Sequence, residues 1–262
     1  MAALLRPSTV ALLESMVIGP GDRCLDVGCG GGHVTMELAR LVGSSGHVVG
    51  VDLDAEILQL ARRDAEVAGL GNIDFRLGDA TQLEEGGYDV VYTRFVLGHL
   101  SRPEAVVHRM TACLRPGGVL VVEDFDLDGG FADPPSSAHE RWCQATEEVV
   151  RRRGGDPSFA RRLPNALRRA GLVGVGVGVA QPAFMEGPGK ALLYLGLEDC
   201  ADVALAEGVL SEEEVERLHA ELVAFAEDPE TLLSTPRRTP RHKYAGIRAS
   251  LHPRSPRCAS LP

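Results

Sequence analysis

Apolar residues follow two alternating patterns along the first half of the chain, from about residue 8 to residue 123. Short runs rich in β-branched residues predict strands, and stretches with an apolar residue every three or four positions predict amphipathic helices. Strands that alternate with helices in this way build a parallel sheet covered on both faces. The sequence therefore predicts a Rossmann-like α/β fold with a mostly parallel sheet flanked by helices, its first five strands at residues 23–27, 47–51, 73–77, 88–93 and 119–123.

The second half of the chain is dominated by helical periodicity. One stretch in which Val alternates with Gly, residues 172–179, predicts a sixth strand. We interpret residues 1–230 as a single domain with a core over about 20–184. The two helical segments of about 129–160 and 185–228 are expected to form lids over that core.

Charge and composition weigh against several classes of protein. The formal net charge is −10, which disfavours a broad surface for binding DNA or RNA. Residues 231–262 differ, with six Arg, one Lys and no acidic residue, and we expect a basic Pro- and Arg-rich tail that is poorly ordered. No apolar run reaches the roughly 20 residues of a membrane helix, and neither a signal peptide nor a CxxC pair is evident. We therefore expect a cytoplasmic protein without membrane insertion.

A glycine-rich segment, Asp26-Val-Gly-Cys-Gly-Gly-Gly32, directly follows the first predicted strand. The dehydrogenase pattern GxGxxG fails here, because it needs a glycine where His33 stands. The pattern DxGxGxG fits at Asp26, Gly28, Gly30 and Gly32. Glycines let a ribose lie against the backbone, and a nearby carboxylate suits S-adenosylmethionine, which carries an ammonium and a sulfonium and has no pyrophosphate.

Two further acids follow the next two predicted strands. Asp52 ends the second strand, where a carboxylate can accept hydrogen bonds from both ribose hydroxyls. Asp79 follows the third strand and could accept a hydrogen bond from an adenine amino group. Because the carboxyl ends of parallel strands meet at one edge of the sheet, Asp26, Asp52 and Asp79 together predict a nucleotide site there.

Five segments in this order resemble the motifs of class I S-adenosylmethionine-dependent methyltransferases. They are LDVGCGGGHVT, VDLD, GDA, YDVVYTRFVLGHL and LRPGGVLVVED, within about residues 20–125. They are most similar to the branch that methylates quinones, sterols and secondary metabolites. The resemblance implies S-adenosylmethionine as cofactor, with glycines beneath it, acids at its ribose and adenine, and two residues beside its methionine moiety. The positions implied to bind it are Asp26, Gly28, Gly30, Gly32, Asp52, Leu53, Asp79, Ala80, Thr93 and Arg94.

The end of the chain departs from this family. Its members usually finish with a strand that inserts antiparallel into the sheet, and the corresponding place here is Ser234–Ser250. This segment is rich in Arg and Pro, and Pro236 and Pro240 argue against a central strand. We therefore expect the last strand to be missing or altered, for example by a frameshift or an engineered tail.

Candidate catalytic residues are two histidines, His99 and His139, each of which could act as a general base. The alternatives are a packing histidine at position 99 and an exposed residue at the start of a lid helix at position 139. Asp124 and Asp126 are further candidates for the base. They begin a DxDxDG segment that imitates a calcium loop, but Pro135 stands where the bidentate glutamate belongs, so we expect no metal. A magnesium site at Asp124 stays open as an alternative.

The function expected from these features is methyl transfer to a small molecule, a secondary metabolite or a quinone-like acceptor, with oxygen favoured over nitrogen or carbon. The alternatives are a non-methylating cyclase or decarboxylase and a regulatory binding protein on the same fold. A nicotinamide-dependent oxidoreductase is disfavoured by His33 and Asp79. RNA methylation would depend on the basic tail alone, and we expect no nucleic-acid partner. A homodimer is left open.

Overall fold

The structure is a computed structural model that describes residues 2–14, 16, 18–126, 129–179, 181–234 and 246–251. Its helices are α1 (Ala2–Glu14), α2 (His33–Val42), α3 (Ala55–Val67), α4 (Pro103–Cys113), α5 (Ser137–Arg152), α6 (Phe159–Arg169), α7 (Pro188–Ala206) and α8 (Glu212–Glu227). Its strands are β1 (Arg23–Val27), β2 (His47–Asp52), β3 (Ile73–Leu77), β4 (Tyr88–Arg94), β5 (Leu114–Glu123), β6 (Phe131–Asp133), β7 (Leu172–Gly178), β8 (Ala183–Phe184), β9 (Leu232–Ser234) and β10 (Gly246–Leu251).

The main sheet contains seven strands in the order β3-β2-β1-β4-β5-β10-β7. Strands β1 to β5 pair in parallel, which confirms the predicted Rossmann-like class. The chain adds β2 and β3 on one side of β1 and then returns to place β4 on its other side. Ligands of such sheets bind at the carboxyl edge where this reversal occurs, here between β1 and β4.

Alternating side chains of the strands supply two apolar layers. On β4, Val90 and Tyr92 point into the layer beneath α1 and α2, whereas Val91 points into the layer beneath α4 and α6. Residues such as Leu38 in the first layer and Leu167 in the second are fully buried. Each such side chain contributes about 1.5–3 kcal/mol by leaving water, so the two layers stabilise the sheet on both faces.

The last strand is present, and the expectation that it would be missing is wrong. β10 runs antiparallel between β5 and β7, with Ile247 opposite Val122 on one side and opposite Val177 on the other. Its sequence, GIRASL, contains no proline, so its backbone can donate to both neighbours. Pairing on both edges overrides a weak strand propensity. The prediction of a poorly ordered tail over residues 231–262 is wrong where β9 and β10 lie, because both strands pair within a sheet. Most of the rest of that range, including Pro236 and Pro240, lies outside the described residues.

A second, three-stranded sheet in the order β6-β9-β8 was not predicted. All its pairs are antiparallel, and its strands are two or three residues long. Of its three strands, only β6 lies within a predicted lid segment. The lid helices α5, α7 and α8 share an apolar cluster that includes Trp142, Leu197 and Leu218, and Leu233 of β9 belongs to the same cluster. We call this unit, α5, α7, α8 and the small sheet, the cap. Among the described residues, no helix has the length and apolar character needed to cross a bilayer.

Candidate functional site

The glycine loop between β1 and α2 needs glycine for two different reasons. Gly28 and Gly32 have φ angles of 71° and 72°, in the left-handed region that favours glycine. A Cβ on Gly28 would lie 2.3 Å from Cγ2 of Val96, and one on Gly32 would lie 2.7 Å from Cζ of Phe75. At Gly30, by contrast, no described atom lies within 4 Å of such a Cβ. The backbone at Gly30 therefore faces open space that a ligand can fill.

Asp52 holds the loop in this position. Backbone hydrogen bonds attach the loop to β2, because the N–H groups of Gly28 and Cys29 both donate to the carbonyl oxygen of Val51, at 2.8 and 3.0 Å. The N–H of Gly30 then donates to Oδ2 of Asp52 at 2.8 Å, and the N–H of Asp54 donates to its Oδ1 at 3.0 Å. Each carboxylate oxygen has two lone pairs, so both can also accept from a vicinal diol.

The carboxylate of Asp26 lies beneath the loop. Its side chain is buried, and the hydroxyl of Thr35 on α2 donates to it at 2.6 Å. Burial raises the pKa of Asp26 to about 6, although the Thr35 hydrogen bond and the charge of Arg94 act in the opposite direction. In this position Asp26 joins the end of β1 to the first turn of α2, and so fixes where the loop begins.

Asp79 lies at the same edge as Asp52. It follows β3, which pairs with β2, and the N–H of Gly78 donates to the backbone oxygen of Asp52 at 2.9 Å. Its Oδ1 accepts from the N–H of Thr81 at 2.7 Å and so caps a 3₁₀ turn that begins at Ala80. Leu53 is 69% exposed beside Asp52. The structure therefore brings Asp52, Leu53, Asp79 and Ala80 to one edge of the sheet.

Thr93 and Arg94 end β4, next to β1, and have different surroundings. The hydroxyl of Thr93 is fully buried and donates to the carbonyl oxygen of Val27 at 2.8 Å, so it joins the two strands. Arg94 is half-buried, and its Nη1 donates to Oγ1 of Thr9 on α1 at 3.1 Å. Phe95 then adopts a φ of 58°, unusual for a residue with a side chain, and turns the chain sharply at the reversal point.

A buried carboxylate that sequence reasoning missed, Glu123, lies beside this turn. It ends β5 and is 5% exposed. The hydroxyl of Tyr92 donates to its Oε1, and the hydroxyl of Thr9 donates to its Oε2 at 3.2 Å. Burial and the charge of Glu123 raise the pKa of Tyr92 well above its ordinary value, so Tyr92 stays protonated and remains a donor.

The two candidate histidines lie in different surroundings. His99 is exposed in a 3₁₀ turn after β4, and its ring contacts the ring of Phe125 edge-on, with centroids 5.4 Å apart. His139 is buried, which contradicts the expectation of an exposed residue at a helix start, and its Nε2 is 3.5 Å from Sγ of Cys143. It lines a cavity of about 410 Å³ together with Phe131. Desolvation lowers the pKa of both histidines, which favours the neutral form of each imidazole.

The two aspartates after β5 are already engaged. Asp124 accepts from the N–H groups of Gly98 and Phe125, at 3.0 and 2.9 Å, and burial raises its pKa to about 6. Asp126 is 1% exposed and accepts from Nε and Nη2 of Arg161, at 2.7 to 3.0 Å. In the part of the chain that the structure describes, no group of three or more His, Cys, Asp or Glu side chains could hold a metal ion.

Comparison with known proteins agrees with this geometry. Residues 18–165 match a family model described as a methyltransferase domain. The chain is 37% identical to the arsenite methyltransferase of Aquipseudomonas alcaligenes, over 43% of this chain and 35% of that protein. It is 33% identical to the ubiquinone/menaquinone biosynthesis C-methyltransferase of Ectopseudomonas mendocina, over 45% of this chain and 47% of that protein.

The fold is also found among solved structures. The YcgJ protein of Bacillus subtilis superposes with a TM-score of 0.62 at 14% identity, covering 94% of this chain and 99% of that one. In sequence, this chain spans less than half the length of either methyltransferase named above. The family model nevertheless matches more than half of the chain. The resemblance drawn from the motifs is thus confirmed, and the chain belongs to the methyltransferase-domain family.

Proposed function

We propose that this chain binds S-adenosylmethionine over the carboxyl ends of β1, β2 and β4 and transfers its methyl group to a small-molecule acceptor. The main support is the carboxylate of Asp52, which holds the N–H of Gly30 and keeps lone pairs for a diol, beside an open backbone face. A ribose needs this combination of a bidentate acceptor and a surface without side chains. The methyltransferase names of the sequence relatives agree with it.

The other residues at the edge have complementary roles in this proposal. Asp79 accepts from the adenine amino group, with Leu53 and Ala80 on either side of the base. Arg94 faces the carboxylate of the methionine moiety, and Thr93 keeps the end of β4 against β1. Asp26 keeps the loop in place through Thr35 and lends negative charge near the cofactor's ammonium.

The acceptor would lie beyond the sulfonium, below the cap. When bound, the cofactor supplies an electrophilic methyl group, so the protein's own task is to hold the acceptor in line and exclude water. A neutral imidazole can take the proton of an acceptor hydroxyl. His99 is the first candidate, because it lies in the turn after β4 and its lowered pKa favours the neutral form. His139 is the second, since it lines the cavity beneath β6.

The finer assignments belong to the same proposal. We infer a secondary metabolite or quinone-like acceptor that is methylated on oxygen, in a cytoplasmic protein without a nucleic-acid partner. The functional domain consists of residues 1–230 together with β9 and β10, which complete the two sheets. The two sequence relatives named above do not favour a non-methylating enzyme, because both are methyltransferases by name.

The cofactor half of the proposal is tested by calorimetric titration of S-adenosylhomocysteine into wild type and Asp52→Asn. The amide keeps the size of the carboxylate but loses one acceptor and the charge, so we expect about 30-fold weaker binding. Asp64→Asn is the matched control, because Asp64 is exposed on α3, and we expect no change. Wild-type protein that takes up NADH but not S-adenosylhomocysteine would overturn the assignment.

The acceptor half is tested by release of S-adenosylhomocysteine from labelled cofactor with a panel of phenols, hydroquinones, amines and thiols. Turnover with a phenol or hydroquinone, and its loss at pH 7 in His99→Ala with cofactor affinity unchanged, is the expected outcome. Tight cofactor binding without turnover on any member of the panel would favour the non-methylating alternative.

A further inference from the structure

A buried series of hydrogen-bonded side chains joins three elements that are far apart in the sequence. Arg94 ends β4, Thr9 lies on α1 and Glu123 ends β5. Nη1 of Arg94 is 3.1 Å from Oγ1 of Thr9, and that oxygen is 3.2 Å from Oε2 of Glu123. Thr9 is 2% exposed and Glu123 is 5% exposed, so water does not compete for these bonds.

The directions of these hydrogen bonds follow from the chemistry of the groups. A guanidinium has no acceptor, so Arg94 donates to the hydroxyl of Thr9. The hydroxyl of Thr9 then donates its one hydrogen bond to Glu123, which also accepts a hydrogen bond from Tyr92. Each side chain of this series therefore has one orientation in which all of these hydrogen bonds form. The hydrogen bond to Glu123 fixes the hydroxyl oxygen of Thr9, and this oxygen in turn orients the guanidinium of Arg94.

Arg94 faces a cavity that adjoins the end of the glycine loop. It lines a cavity of about 380 Å³ between α1 and α2, together with Thr9 and with His33 at the start of α2. It is also close enough for its charge to lower the pKa of Asp26 beneath the glycine loop. One of its five N–H groups is used on Thr9, and a planar fork held in this way is suited to a carboxylate.

We propose that Thr9 is a positioning residue, which orients Arg94 to bind the α-carboxylate of the cofactor's methionine moiety. This inference rests on the proposed function, since it assumes that the adenosyl group occupies the glycine loop. Helix α1 thereby forms part of the cofactor site. Leu12 and Leu13 pack α1 on the sheet independently of Thr9, so removing the hydroxyl leaves the helix in place.

The test compares two ligands that differ by one group, S-adenosylhomocysteine and its decarboxylated analogue, which keeps the amine. Their affinity ratio is measured by calorimetry in wild type, Thr9→Val and Thr9→Ser. Partial unfolding lowers the active fraction equally for both ligands, so it leaves the ratio unchanged. We expect Thr9→Val to reduce the preference for the carboxylate about tenfold, and Thr9→Ser to restore it.

Two further variants complete the test. Arg94→Gln removes the charge and is expected to bring the ratio close to one, even if Thr9→Val folds poorly. Thr111→Val is the matched control, because Thr111 is a buried threonine on α4 whose hydroxyl donates within its own helix, and it should keep the wild-type ratio.

The outcomes separate this inference from the function on which it rests. Equal loss of affinity for both ligands in Thr9→Val, or an unchanged ratio in Arg94→Gln, would overturn the positioning role. Equal binding of both ligands by wild type would overturn it as well, and would leave the proposed function intact. Wild type that binds neither ligand would mean that the proposed function itself is wrong.

Discussion

The cofactor edge of the main sheet and the cap are built by different kinds of interaction. At the edge, the N–H groups of Gly28, Cys29 and Gly30 all donate to Val51 or Asp52 at the end of β2, which is the next strand along the chain. In the cap, strands from distant parts of the chain pair over only two or three residues, such as Phe131 with Ser234. The edge is therefore fixed by bonds between successive strands, whereas the cap depends on pairing between segments much farther apart in the chain.

This difference suggests that the edge and the cap have different roles in binding. At the edge, several hydrogen bonds hold each charged or backbone group in place. Such a fixed surface suits a cofactor that many enzymes share. The cap exposes apolar surface near its small sheet, and Phe131 is 50% exposed. A small, weakly paired sheet can change its shape with few substitutions. We therefore expect the cap to choose the acceptor and the edge to stay constant.

The largest expected effect concerns the edge, in Gly28→Ala. The new Cβ would lie 2.3 Å from Val96 and would also force alanine into a φ of 71°. Overpacking and backbone strain together should lower the free energy of unfolding by about 4 kcal/mol. Urea denaturation measures this loss.

Gly71→Ala is the control for this variant. No described atom lies within 4 Å of a Cβ on Gly71, so a change within about 0.5 kcal/mol is expected. If the free energy of unfolding fell equally little in Gly28→Ala, the loop would be able to adapt to a side chain at this position.

The same contrast explains which parts of the molecule could be predicted from the sequence. DxGxGxG and the acids that follow β2 and β3 are local signals, and the structure places Asp52 and Asp79 at one edge. Thr9 and Glu123 carried no signal, because they are 114 residues apart and only the fold brings them together. Nothing in either segment marks a buried threonine as the partner of a buried carboxylate.

Strand prediction failed for a related reason. The strands of the small sheet are too short to show a period of two, and β10 lies next to a proline-rich segment that misled the interpretation. In both cases pairing with distant strands decides the conformation, and local propensity does not. His139 was misjudged in the same way, since the packing that buries it comes from elsewhere in the fold.

The next effect in size concerns the cap, in Leu222→Ala. Leu222 is fully buried among the cap helices, so the cavity left behind should cost about 3 kcal/mol. If the two regions are built independently, the affinity for S-adenosylhomocysteine should stay within about twofold of wild type.

Hydrogen exchange, followed by mass spectrometry, should show the loss of protection in α7 and α8 and not in β1 or β2. Leu195→Ala, an exposed leucine on α7, is the control. Loss of cofactor affinity in Leu222→Ala, alongside the loss of stability, would show that the cap and the edge form one cooperative unit.

The smallest effect is a pH dependence that distinguishes the buried carboxylate of the edge from those at the surface. The pKa of Asp26 is about 6 in the folded protein and 3.8 ordinarily, so folding favours its protonated form. The charged carboxylate therefore destabilises the fold above pH 6, and this cost disappears as the pH falls through 6 toward 4. Asp26→Asn removes the charge and still accepts from Thr35, so its stabilising effect should be larger at pH 7.5 than at pH 4.5, by about 2 kcal/mol. Denaturation at both pH values measures the difference, which should be absent in Asp64→Asn. A stabilisation of Asp26→Asn that did not change with pH would mean that the charge of Asp26 is already compensated in the fold, and that the edge tolerates a buried anion at no cost.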